Sequence, residues 1–296
     1  GALCRALRDD CRLILTGDAD QLPPVGAGNV LEDLINSGYV YTSRLSEIFR
    51  QAEESGIVLN AHRINQGSYP KYGKDFLLVE ADKQKDILGK ITDLAAKWPP
   101  DKVQVLTPVK KGILGSASIN EHLQQIFNPP RPDCPELAFG SKIYRQGDRV
   151  MQIKNNYQLE WEVRSKYGLA IDKGLGVFNG DMGIVRQIND FAQTVTVEFE
   201  EGKMVEYAYK GLDELELAYA ITIHKSQGSE YPAVVIPLLN GPKMLMNRNL
   251  LYTAVTRARK CVTLVGDETV FEQMEHNVTE QVRYSGLIDR IWEQGA

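Results

Sequence analysis

The chain has 296 residues, 43% of them hydrophobic and 25% charged, a balance that builds buried cores and excludes disordered or collagen-like chains. Its 34 Lys and Arg are outnumbered by 39 Asp and Glu, for a formal net charge of -5, so any case for a nucleic-acid partner must rest on local groups. Cys4, Cys11, Cys134 and Cys261 are scattered without C-x-x-C spacing and apart from the histidines, which argues against zinc. No apolar run reaches the about 18 residues of a membrane helix, and a cytoplasmic, reducing compartment is expected.

Residues 1–10 read as the end of a helix, with no initiating Met, so a preceding segment is expected. Cys11 to Thr16 is a short apolar run ending at Gly17-Asp18, the pattern of a buried parallel strand whose carboxyl end delivers polar groups to a crevice. In Ser55 to Asn65, Ile57, Ala61 and Ile64 share one helical face. Val103 to Thr107, Ala233 to Pro237 and Cys261 to Val265 are further buried strands, and the alternation predicts an α/β fold with a mainly parallel sheet. The stretch 142–216 differs. Its short alternating runs, Asp148 to Ile153, Met182 to Arg186 and Thr194 to Phe199, are punctuated by Asn179-Gly180, Asn189-Asp190 and Glu201-Gly202, which predicts an inserted small antiparallel barrel whose closure protects its edges.

Four strings carry chemistry. Gly17 to Gly26 (GDADQLPPVG) presents Asp20 and Gln21 after a strand, with Pro23 and Pro24 fixing extended backbone. In Leu45 to Gln51 an arginine, Arg50, stands beside Phe49; a guanidinium forks onto phosphate while a ring stacks on a base. Ala220 to Glu230 runs from strand-like alternation into Ser226, Gln227, Gly228 and Ser229, donors around a close backbone approach that suit a sugar-phosphate chain. Leu251 to Lys260 predicts a helix carrying Arg257, Arg259 and Lys260, able to offer an arginine to a departing γ-phosphoryl group.

Together and in this order these strings resemble the third, fourth, fifth and sixth motifs of superfamily 1 helicases. The LPPVGAG continuation, FRQAEES, AHRIN and VFNGDMG resemble the RecD branch, over about residues 10–270. The resemblance implies a RecA-like parallel-sheet motor with an inserted Src-homology-type β-barrel: residues 1–42 as the remnant of motor domain 1A, 43–141 and 217–296 as domain 2A, and 142–216 as domain 2B. It implies an ATP-dependent motor, with Mg2+, that moves 5′ to 3′ on single-stranded DNA and opens duplex junctions, and that works with a first motor domain and with other recombination or repair subunits. The resemblance implies catalytic roles for Gln21, Arg50 and Arg257, with Gln21 sensing the γ-phosphate. Phe49, Gly228 and Glu230 line the nucleotide. Thr107, Lys110, Lys111, Thr222, His224 and Ser226 are the candidates for the DNA track. In the barrel, Tyr157, Trp161, Tyr167 and Phe178 are read as core, the alternative being a stacking platform for bases, with Lys154, Arg164 and Lys166 within reach of a strand.

Such a motor also needs a G-x-x-x-x-G-K-[ST] loop and a carboxylate pair after a strand. The pairs Gly73-Lys74, Gly89-Lys90 and Gly202-Lys203 are followed by Asp75, Ile91 and Met204, so none is a phosphate loop, and Asp267-Glu268 lies beyond the sixth motif. The chain is therefore expected not to hydrolyse ATP alone. Alternative readings are a binding module that kept the fold, the helicase half of a conjugative relaxase, a Pif-type helicase or an RNA helicase.

Overall fold

The computed structural model describes residues 5–8, 10–23, 26, 28–44, 55–279 and 285–295. Two sheets dominate. The first has five strands, all parallel, in the order β1 (Phe76–Glu80), β14 (Ala258–Gly266), β13 (Tyr231–Pro237), β2 (Val103–Thr107) and β12 (Ala220–Thr222). Parallel sheets bury both faces, and the strand sequences show it. Val103, Val105, Ala233 and Val235 point to one core, whereas Leu106, Val234, Ile236, Val262 and Leu264 point to the other.

Helices cover both faces. On one lie α2 (Gly56–Asn65), α5 (Arg248–Val255) and α6 (Glu268–His276), which bury Ile57, Ala61, Ile64, Leu250, Ala254 and Phe271. On the other lie α3 (Gln84–Ala95) and α4 (Ser116–Phe127), through Ile87, Ile91, Ile119 and Leu123. The face predicted for the 55–65 helix is thus the buried one. Near the chain ends, α1 (Val30–Ser37) is held to α7 (Leu287–Gly295) by Trp292 Nε1, which donates to the Ser37 carbonyl at 3.1 Å. Asp267 caps α6 by accepting from Thr269 N at 2.8 Å, a structural duty.

The second sheet has seven antiparallel strands in the order β11 (Leu215–Leu217), β5 (Arg149–Gln152), β8 (Met182–Asn189), β9 (Thr194–Phe199), β10 (Lys203–Ala208), β6 (Asn156–Arg164) and β7 (Ala170–Val177). A hairpin, β3 (Glu136–Phe139) and β4 (Lys142–Arg145), precedes it. Alternation in β9 buries Val195, Val197 and Phe199, and these join Val150, Val185 and Val205 in a core continuous with that under α3 and α4. The pairing does not close into a ring, since β11 and β7 stand at opposite ends of the order. The β7 edge carries Asp172, Lys173, Gly174 and Gly176, residues that discourage further strand pairing.

Three expectations need correction. Cys11 to Thr16 forms no strand and is exposed throughout, because a parallel strand needs paired neighbours and the described residues supply none beside it. Three of the barrel aromatics are not core: Tyr157 and Tyr167 are 67% and 79% exposed and Phe178 is exposed, whereas Trp161 packs partly buried against the core. Tyr157 lies on β6, Tyr167 between β6 and β7, and Phe178 just after β7, where its ring meets that of Tyr157 at 5.5 Å between centroids. Finally, α5 ends at Val255, so Arg257 follows the helix and Arg259 and Lys260 lie on β14.

Candidate functional site

Arg257 stands between the end of α5 and the start of β14, and it is only 7% exposed. Its Nε donates to the Thr253 carbonyl at 3.2 Å, its Nη1 to the Ser229 carbonyl at 3.2 Å, and its Nη2 to Gln21 Oε1. All three acceptors are neutral. Among the described residues no carboxylate lies within ion-pair distance of this guanidinium. A buried cation on neutral acceptors keeps its full charge and two spare N–H groups for an incoming anion.

The 17–23 segment is fastened to the same place. Leu22 N donates to Thr253 Oγ1 at 2.8 Å, and Gln227 Nε2 donates to the Leu22 carbonyl at 2.6 Å. Gln21 Nε2 and Tyr252 Oη both donate to Asp18 Oδ2, each at 3.0 Å. Asp18 Oδ1 receives Asp20 N at 3.0 Å, and Asp20 Oδ2 receives Asn65 Nδ2 at 2.7 Å. Burial, reinforced by the Asp18 charge, pushes the Tyr252 hydroxyl well above its ordinary range, so it stays a donor. The result is a relay from Asp18 through Gln21 to Arg257, spanning residues more than 230 apart in sequence.

The remaining predicted residues divide. Gly228 is exposed with φ +83°, a conformation glycine tolerates, and it opens the turn before Ser229. Glu230 is ion-paired with Arg259 Nε at 2.6 Å. Phe49 and Arg50 lie outside the described residues. Thr107 and Ser226 are fully buried, and their hydroxyls donate to the Leu114 and Ile223 carbonyls at 2.6 and 2.8 Å. Buried polar groups at strand ends are commonly spent on backbone in this way. Thr222 ends β12 as the register partner of Thr107, and His224 follows it, half-buried and with its pKa lowered by burial. Lys111 is exposed, whereas Lys110 is ion-paired with Glu216.

Asp18, Tyr252 and Thr253 carried no role in the sequence, and Ser229 was read as a hydroxyl donor and not as the carbonyl that holds Arg257. All four lie inside the strings singled out, but only the fold brings them together.

Three families match parts of the chain. Residues 119–199 match the ATP-dependent RecD-like DNA helicase SH3 domain family, residues 217–265 the UvrD-like helicase C-terminal domain, and residues 1–82 an AAA domain. The ATP-dependent RecD2 DNA helicase of Deinococcus radiodurans is 34% identical over 98% of this chain and 37% of its own length. The RecBCD enzyme subunit RecD of Mycobacterium tuberculosis is 30% identical over 99% of this chain and 51% of its own. Among solved structures, the Bacteroides Pif1 helicase in complex with ADP-AlF3 and ssDNA aligns over 94% of this chain and 66% of that one, at 18% identity and a TM-score of 0.42. The chain thus spans between about a third and a half of the length of these curated relatives. Its SH3-type domain, its C-terminal helicase domain and its likeness to RecD2 and RecD, joined to the ordered motifs and the parallel sheet, make it a member of the RecD-like branch of the superfamily 1 helicases.

Proposed function

We propose that this chain is the second-motor part of an ATP-dependent DNA helicase that moves 5′ to 3′ on single-stranded DNA, and that Arg257 contacts the γ-phosphate. The observation that carries the reading is the Arg257 cradle: a nearly buried guanidinium on three neutral acceptors, one of them Gln21. ATP supplies a terminal phosphate whose negative charge redistributes as it leaves, and a preorganised cation there lowers the barrier. Gln21 ties that cation to the 17–23 segment and so reports nucleotide state across the cleft. Arg50 acts beside Arg257, Phe49 stacks near adenine, and Gly228 and Glu230 lie along the nucleotide. Lys110, Lys111, Thr222 and His224 follow the strand, while Thr107 and Ser226 hold the track's backbone.

No G-x-x-x-x-G-K-[ST] string occurs in these residues, and among the described ones no three His, Cys, Asp or Glu side chains group to hold a metal. We assign the phosphate loop and the Mg2+ ligands to protein outside them, a first motor domain working against this one. Recombination or repair subunits as partners, and a cytoplasmic location, belong to the same reading. No helix of the described residues is long and apolar enough to cross a membrane.

The test is single-strand-stimulated phosphate release by the full-length protein. Arg257→Ala should lower kcat about a thousandfold while ATP still binds. An unchanged kcat would refute the assignment.

A further inference from the structure

At the carboxyl edge of the parallel sheet, Thr107 and Thr222 end neighbouring strands in register, so the loops that follow β2 and β12 emerge side by side. Ligands of open α/β sheets bind at this edge. Lys110 comes from the first loop and Lys225 from the second, while Lys142 on β4 and Glu216 on β11 come from the β domain. All three lysines converge on that one carboxylate. Lys110 Nζ contacts Glu216 Oε1, Lys142 Nζ lies 4.0 Å from the same oxygen, and Lys225 Nζ lies 3.5 Å from Oε2.

Three ammonium groups on one carboxylate leave an excess of two positive charges, in a chain whose net charge is -5. The groups are held in place. The Glu216 side chain is 17% exposed, and those of Lys225 and Lys142 are 27% and 33%. Lys142 Nζ also donates to the Leu215 carbonyl at 2.9 Å. Behind Lys110, a Cβ on Gly115 would meet the Lys110 carbonyl at 2.6 Å, and Ala117 N donates to that carbonyl, so the loop is closed tightly onto the start of α4. Burial and the neighbouring ammonium groups lower the Lys142 and Lys225 pKa values, against the pull of Glu216.

We propose that this triad is a binding site for one phosphate of a single-stranded nucleic-acid backbone, and that Glu216 is an internal anion occupying the phosphate's place until a strand displaces it. A phosphodiester matches the carboxylate in presenting two oxygens that share one negative charge. The lysines serve as point charges, which suits a backbone sliding past better than a bidentate fork would. The site straddles the seam between the motor sheet and the β domain, so the strand would touch both at once. This inference rests on the helicase reading and adds Lys142, Lys225 and the opposing role of Glu216 to the track.

The experiment is fluorescence anisotropy of a labelled oligothymidylate with the whole chain, across a potassium chloride series. Glu216→Gln keeps the side chain's shape and removes its charge. It should tighten binding about fivefold and steepen the slope of log K against log salt by about 0.7, one single-strand phosphate. Lys142→Gln with Lys225→Gln should weaken binding, flatten the slope and abolish the gain from Glu216→Gln, with Lys→Arg at both positions restoring binding. Inorganic phosphate at matched ionic strength should not compete; displacement by it would mark a free-anion site and overturn the backbone assignment. If wild type binds and Glu216→Gln changes neither affinity nor slope, this inference falls while the helicase reading stands. If neither protein binds the oligonucleotide, this inference falls, and the helicase reading is decided separately by phosphate release from the full-length protein.

Discussion

Asp148 should be the costliest single side chain to remove from the junction between the motor sheet and the β domain. It is fully buried, and its carboxylate accepts from Gln124 Nε2 at 2.5 Å, Asn128 Nδ2 at 2.8 Å, Arg145 N at 2.7 Å and Tyr219 Oη at 3.0 Å. Asp148→Ala orphans four buried donors at about 1–3 kcal/mol each. Gln124 and Asn128 stay anchored through their other amide N–H on the Ile143 and Gln146 carbonyls, but the N–H of each that faced Asp148 is left unpaired with Arg145 N and Tyr219 Oη. Losing a buried charge that burial already disfavours offsets part of it. The net destabilisation should be about 3 kcal/mol, read as a lower urea midpoint at unchanged m.

The pH dependence of this residue follows from burial, which raises its carboxyl above the ordinary value despite opposing hydrogen bonds. The native state then holds the proton more readily than the unfolded chain. Its contribution is fully present below the ordinary carboxylate pKa and is lost as pH rises through the folded pKa. The stability gap between wild type and Asp148→Asn should therefore widen in favour of wild type as pH falls from 7 toward 4. An Asp148→Ala cost below about 1 kcal/mol, within the usual range of a surface change, or a gap that widens with rising pH, would refute the reasoning.

Two further outcomes are expected. Gln21→Ala in the full-length protein should leave nucleotide binding intact but erase most of the stimulation of phosphate release by single-stranded DNA; equal stimulation in both proteins would show that Gln21 does not couple the sites. The His224 pKa is lowered by burial, so its contribution is present above the ordinary imidazole value and lost as pH falls through the folded one. Wild type should accordingly lose more urea resistance than His224→Gln between pH 8 and pH 5, and parallel curves would contradict this.

What the sequence made legible follows from what periodicity encodes. The strands β2, β13 and β14 were visible as apolar runs because a parallel sheet buries both faces, and β9 because one face alternates. The same apolar signal misled at Cys11 to Thr16, since it reports a need for neighbours and not their presence. β7 gave no such pattern because most of its residues are exposed, and Tyr157, Tyr167 and Phe178 resembled core by type alone. The run from Leu251 to Lys260 contains no Gly or Pro, so nothing local announced the change from helix to strand that separates Arg257 from Arg259. The strings of the site were legible, but its wiring was not. Lys110, Lys142, Glu216 and Lys225 share no spacing rule, and only the pairing of β12 with β2 and of β11 with β5 brings their elements to one edge.

The most direct test of a split catalytic cleft is phosphate release by this chain, alone and mixed with a separately produced first motor domain carrying the phosphate loop, with single-stranded DNA present. The account predicts activity only in the mixture, lost when this chain carries Arg257→Ala. Release by this chain alone, or none from a mixture shown to associate and to bind both ATP and DNA, would contradict it.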